Sequence, residues 1–220
     1  RVVLKTAHTG ATASLHAEHA WLNRPAANHA HLRQAAPYPA HQTLGMMFGP
    51  DGQRTVWIAL AYAPGRPLAT WRRLRIDQAV HVAVQAAQAL DHLHRVVGVV
   101  HQDVTPANLI VQGRWNSTLH TRLIDLSAAD EPATPRRRAC YGVEAYLAPE
   151  RLRTPAPPPD PQSDIFALGM VLRTMIADQP ASPHLADLIA AMTEPDIMRR
   201  RAALPTMADV AARLQQELRR

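Results

Sequence analysis

The sequence predicts an α+β chain: apolar or β-branched runs of strand length gather in its first third, helical periodicity fills most of the rest, and stretches rich in proline and glycine punctuate the two. Residues 1–6 and 55–62 are the strand candidates, with 44–48 a weaker one before the turn Gly49-Pro50-Asp51-Gly52. Residues 12–23 read as a helix, whereas 24–42, with three prolines and three histidines, read as an irregular connector. Residues 77–97 carry Val80, Val84, Ala87, Leu90 and Leu93 at helical spacing and predict one long buried helix. Leu109-Ile110-Val111 and residues 121–124 follow as short strands. Residues 163–177, 183–193 and 206–219 read as helices, 155–161 is a proline-rich surface loop, and no internal repeat is visible.

With 220 residues, 47% of them apolar, the chain can bury a substantial core as one compact unit and is not a disordered tail. No apolar run approaches the roughly 20 residues needed to span a bilayer, and the start has no signal-peptide pattern, so a soluble domain is expected. The single cysteine, Cys140, excludes an internal disulfide and a Cys-based zinc site, which fits a cytoplasmic location. The net charge of +6 is concentrated in the runs Arg136-Arg137-Arg138, Arg199-Arg200-Arg201 and Arg219-Arg220. Such runs are ordinarily solvated surface, and without a reading motif or aromatic-interleaved basic strand no nucleic-acid partner is expected. The pairs His29/His31 and His92/His94 lack a third ligand at metal-binding spacing and read as surface histidines.

The chemistry-bearing segment is His101-Gln102-Asp103-Val104-Thr105-Pro106-Ala107-Asn108, followed by Asp125 at the end of an apolar run, seventeen residues after Asn108. Asp103 stands five residues before Asn108, a spacing that lets a carboxylate orient an acceptor hydroxyl while the amide reaches a metal on the same side of a loop. Asp125 can bridge a hard cation to phosphate oxygens, since Mg²⁺ prefers carboxylate and amide oxygen. Singly, each is an ordinary turn or cap residue; the ordered set carries the signal.

That set resembles the catalytic and metal loops of eukaryotic-type protein kinases. Val2-Val3-Leu4-Lys5 is similar to the family's third-strand lysine motif and Glu18 to its partner on the next helix, although an ordinary ion pair is the plain alternative for these two. Tyr146-Leu147-Ala148-Pro149-Glu150 resembles the close of the activation segment, and Ser163-Asp164-Ile165-Phe166-Ala167-Leu168-Gly169 the start of the large helix behind it. The resemblance implies a two-lobed kinase-like fold: a small, truncated, β-rich N-lobe over residues 1–63 and a larger, mostly helical C-lobe over 64–220. It further implies ATP and Mg²⁺ as cofactors and a protein substrate. Lys5, held by Glu18, would contact the α- and β-phosphates; Asp103 would orient the acceptor hydroxyl; Asn108 and Asp125 would hold the metal. Val3 and Ile110 would sandwich the adenine, and the backbone of Ala61 and Ala63, flanking Tyr62, would bond to it. His101 is expected to pack structurally.

The chain starts at Arg1 and runs directly into the Lys5 strand, so the family's glycine-rich loop is missing from it and a piece of a longer multidomain protein is expected. Gln102 replaces the arginine before the catalytic aspartate, so activation through a phosphorylated segment, at Thr134 or Tyr141, is not expected. Thr105 stands for the usual lysine and Val143, after Gly142, for the usual threonine, two side chains that meet at the family's acceptor site. Asp125-Leu126-Ser127 places serine where glycine gives backbone freedom. About thirty residues separate Asp164 from Glu194-Pro195, so a substrate-docking helix is shortened or missing. The partner of Glu150 should lie among Arg199, Arg200 and Arg201.

The first functional expectation is therefore an ATP-dependent serine/threonine protein kinase of the bacterial eukaryotic-like type. A pseudokinase or regulatory nucleotide-binding module is the alternative. A small-molecule phosphotransferase would share the Asp103–Asn108 spacing but not the Ala148-Pro149-Glu150 and Ser163-Asp164 features.

Overall fold

A computed structural model of the chain describes residues 2–7, 12–24, 41–48, 54–71, 74–114, 119–132, 143–155 and 157–220. Strands β1 (Val2–Thr6), β2 (His41–Phe48) and β3 (Arg54–Ala61) form an antiparallel sheet with β3 in the centre. Helix α1 (Thr12–Leu22) buries Leu15, Glu18 and Leu22, one stripe at helical spacing, so Glu18 rides on the face turned inward. Val56 and Ile58 of β3 cluster with Leu15. Lys5 pairs directly with Ile58, and directly opposed residues project from the same side of a sheet. The register thus turns Lys5 toward the side on which α1 packs.

A second small antiparallel sheet joins β4 (Arg66–Pro67), β5 (Leu109–Gln112) and β6 (His120–Leu123). The rest is helical: α2 (Ile76–His92), α3 (Pro161–Met175), α4 (Pro183–Met192), α5 (Ile197–Ala203) and α6 (Met207–Glu217). Helix α2 is buried nearly all round and forms the axis of the main core, where Val84 and Leu90 share one cluster with Ile165, Leu168 and Leu172 of α3 and Val210 and Leu214 of α6. Gly169 lets α3 and α4 meet closely: a β-carbon there would lie 2.7 Å from Met192 Cβ. Side-chain caps start the last four helices, Asp160, Ser182, Asp196 and Thr206 each accepting from first-turn amides.

Three expectations change. The long helix expected over 77–97 ends at His92, and its last turn widens into a π-type turn over Leu93–Val97, closed by Gly98 at φ +80°. The connector expected over 24–42 gives way by His41, where polar residues the sequence reading left out of the strand pair with β3 across a register shift between His41 and Thr43. The arginine run 199–201 lies in α5, a helix the charge pattern concealed. The Gly49-Pro50-Asp51-Gly52 turn, Thr134, Tyr141, Cys140, Arg136-Arg137-Arg138 and the His29/His31 pair lie outside the described residues. Among the described residues no helix is long and apolar enough to cross a membrane.

Candidate active site

The loop from Val100 to Asn108 hangs on one carboxylate. Asp164, in the first turn of α3 and fully buried, accepts the backbone N–H groups of His101 and Gln102, each at 2.8 Å, and the Nε2–H of His94 at 2.8 Å. Burial works against the charged form of Asp164, but these donors outweigh it and hold its pKa below the ordinary aspartate range. His101, also fully buried, accepts the Asp103 N–H at Nδ1 (3.2 Å), which puts its proton on Nε2 for donation to the Ile124 carbonyl (3.1 Å). The ring is structural, as expected from sequence. His94, by contrast, is no surface histidine: its side chain is 6% exposed and committed to Asp164.

The end of the loop fixes its two chemical groups against each other. Asn108 Nδ2 donates to both the backbone oxygen and Oδ2 of Asp103, each at 2.9 Å. The Asn108 carbonyl then accepts the Ile124 N–H at 2.9 Å, so the residue immediately before Asp125 is tied to the loop. Asp125 has a left-handed backbone, φ +67°, which aims its carboxylate back toward β1.

There the second cluster forms. Lys5 Nζ donates to Glu18 Oε2 and to Asp125 Oδ1, both at 2.6 Å. Glu18, only 1% exposed, spends its other oxygen on the Leu126 N–H at 3.2 Å. Burial disfavours the Lys5 ammonium, but the two carboxylates outweigh it and raise its pKa. Burial likewise works against Asp125, but Lys5 and Ser127 outweigh it and lower its pKa. Burial pushes Glu18 the other way, upward against the pull of Lys5. With a cation on one oxygen and a backbone N–H on the other, its ionised form is the one this geometry holds. Ser127, noted in the sequence only as a serine in place of glycine, supports Asp125: its hydroxyl donates to Asp125 Oδ1 at 2.5 Å and its N–H to the same oxygen at 3.1 Å. A hydroxyl two residues from a carboxylate is the only signal the sequence carried for it.

Lys5, Glu18 and Asp125 are therefore brought together, as are Asp103 and Asn108. Val3 alternates onto the same side of β1 as Lys5 and is 45% exposed. Ala61 ends β3 opposite Val2, Ala63 is half-buried just beyond it, and Ile110 sits half-buried in the second sheet opposite Pro67 and Arg122. Beside Asp103 a small cleft is walled by Thr105, Val143, Tyr146, Leu147 and Ala148, so Thr105 and Val143, two of the positions that depart from the family pattern, do share one surface. Behind it, Glu150 is paired with Arg200, which is fully buried, donates to the Glu194 carbonyl at 2.5 Å and lies over the Phe166 ring. Arg200 is thus the partner the sequence left open among three; Arg201 pairs instead with Asp160 at 2.5 Å.

The chain is similar to several curated proteins. It is 31% identical over 115 residues to "Serine/threonine-protein kinase PknB" of Mycobacterium leprae, covering 50% of this chain and 17% of that protein. It is 29% identical over 137 residues to "Serine/threonine-protein kinase pkn3" of Myxococcus xanthus, covering 57% of this chain and 24% of the relative. With "Serine/threonine-protein kinases drp72" of Corynebacterium efficiens it shares 28% identity over 172 residues, 74% of this chain and 31% of the relative. The chain thus spans less than a third of the length of each of these relatives. The protein kinase domain model matches residues 42–216. With a two-sheet and helical fold, a partly buried lysine–glutamate–aspartate cluster and that match over most of its length, the chain belongs to the protein kinase domain family, as a divergent member of the bacterial type.

Proposed function

We propose that this domain is an ATP-dependent protein kinase that moves the γ-phosphoryl group to a serine or threonine hydroxyl of a protein. The observation that carries this reading is the Lys5 ammonium held at 2.6 Å from both Glu18 and Asp125. A lone structural ion pair would not need the second carboxylate.

The donor set suits Mg²⁺. Asp125 Oδ1 is taken by Lys5 and Ser127, which leaves Oδ2 for a cation, and Asn108 spends its amide nitrogen on Asp103, which leaves its amide oxygen. One carboxylate and one amide oxygen, with phosphate oxygens and water completing the shell, is a usual magnesium arrangement. When bound, the metal would neutralise charge on the transferring phosphoryl group.

Lys5 would grip the α- and β-phosphates, kept in place by Glu18. Val3 and Ile110 would flank the adenine, with backbone groups of Ala61 and Ala63 available to its edge. Asp103, oriented by Asn108 through Oδ2, would accept a hydrogen bond from the acceptor hydroxyl. As the acceptor oxygen bonds to the γ-phosphorus, the bond from that phosphorus to the β-bridging oxygen breaks, ADP departs, and the hydroxyl proton passes to Asp103 and then to solvent. Catalysis on this reading is positioning and charge stabilisation. Residues 1–63 would form the small lobe and 64–220 the large one, within a longer, cytoplasmic, multidomain protein whose partners are ATP and protein substrates.

The test is radiolabel transfer from γ-labelled ATP with Mg²⁺, for wild type and Asp125→Ala, with generic protein acceptors and autophosphorylation both measured. Transfer present in wild type and lost in the variant supports a working kinase. Nucleotide binding without transfer in wild type overturns it in favour of a regulatory pseudokinase.

A further inference from the structure

The run that follows Asp125 is fastened residue after residue. The Leu126 N–H reaches Glu18. Gln102 Nε2 donates to the Ala128 carbonyl at 2.8 Å, and Trp21 Nε1 to the Ala129 carbonyl at 3.3 Å. Asp130 forms a two-bond antiparallel bridge with Val100, at 2.8 and 3.1 Å. Arg24 Nη2 meets Glu131 at 2.5 Å, while its Nη1 donates to the Val97 carbonyl at 2.6 Å and the guanidinium lies 4.5 Å from the centre of the Trp21 ring.

These contacts come from two places. Trp21 is in the last turn of α1, the helix that carries Glu18, and Arg24 lies two residues beyond its end. Gln102 is in the loop that carries Asp103, with a left-handed backbone at φ +68° pinned by Asp164. The same six residues are therefore held from the Lys5–Glu18 side and from the Asp103 side.

We propose that Trp21, Arg24 and Gln102 are positioning residues that fasten residues 126–131 to both the Glu18 helix and the catalytic loop, and in doing so set Asp125 against Lys5. Gln102, which lacks the charge needed to anchor a phosphate, takes up a neutral bond to Ala128 instead. The consequence for nucleotide affinity rests on the kinase reading; the mechanical coupling does not.

The test is amide hydrogen exchange on the whole chain, with ATP affinity measured beside it. The variants are Arg24→Gln, Glu131→Gln, their double variant, and Gln102→Asn, which tolerates the left-handed backbone but is too short to reach Ala128. Exchange over residues 126–131 and over α1 should quicken together, about threefold in Glu131→Gln and at least as much in Arg24→Gln, which also gives up the Val97 carbonyl and the Trp21 ring, with the double variant no faster than Arg24→Gln and α3 to α6 unchanged. Gln102→Asn should quicken 126–131 about fivefold, and all four variants should bind ATP more weakly. Glu131→Gln removes the ion pair at an exposed position and keeps the test sound if Arg24→Gln folds poorly. Unchanged exchange over 126–131, or a change in α1 that leaves 126–131 untouched, would overturn the proposal. If wild type transfers no phosphate while the two regions still loosen together, the kinase reading falls and the positioning inference stands.

Discussion

The two halves of the candidate site are held in different ways. On the Asp103 side a fully buried carboxylate, Asp164, collects two backbone N–H groups and a histidine, and His101 links Asp103 to Ile124. On the Lys5 side the link between sheet, helix and Asp125 is charge: one ammonium, a quarter exposed, between two carboxylates. Buried hydrogen-bond networks fix geometry and are costly to break, whereas partly exposed ion pairs contribute little to stability and more to orientation. The contrast separates a rigidly seated loop from a more adjustable ion cluster. Proteins that bind and release a ligand draw their moving parts from the less stable end of that range.

Removing a partner on each side should separate the halves most sharply. Asp164→Ala leaves two buried N–H groups and His94 without their acceptor, and should cost about 3–5 kcal/mol of stability in denaturant unfolding. Lys5→Met, which leaves buried Glu18 with only the Leu126 N–H, should cost less, about 1–3 kcal/mol on the same measurement, while abolishing transfer. Equal stability losses would erase the distinction.

The pH dependence sharpens it. Asp164 and Asp125 have folded pKa values lowered below their unfolded ones, so their contribution is complete above about pH 4 and is lost as pH falls through the folded values. Lys5 has a raised folded pKa, so its contribution is complete below about pH 10 and is lost only as pH rises past that folded value. Stability against pH should therefore fall at the acid end, and the fall should shrink in Asp164→Asn more than in Lys5→Met. Ser127→Gly is the smallest change: it removes one hydroxyl bond to Asp125, should cost about 0.5–1.5 kcal/mol, and should weaken Mg²⁺ dependence in ATP titrations without moving acceptor affinity.

Much of the site was legible because its residues sit at short, fixed separations. The Asp103–Asn108 spacing fits within one loop, and Glu18 lies on a stripe with Leu15 and Leu22 that any amphipathic helix buries. What was not legible depends on distant partners or on choices between equals. Arg199, Arg200 and Arg201 are identical in sequence, and only rotation about α5, roughly 100° per residue, turns Arg200 inward to Glu150 and Arg201 outward to Asp160. His94 reads as surface in an alanine- and arginine-rich stretch, because its burial depends on Asp164, seventy residues later. Gln102 was legible as a loss of charge but not as a gain of the Ala128 bond.

The most direct test of the central claim is to measure Mg-ATP binding and γ-phosphoryl transfer side by side for wild type and Asp103→Asn. Near-equal nucleotide affinity is expected, since Lys5, Glu18 and Asp125 are untouched, with transfer reduced by about 10²–10⁴-fold, the usual worth of a positioned acid–base group. Transfer at the wild-type rate in Asp103→Asn would contradict that claim.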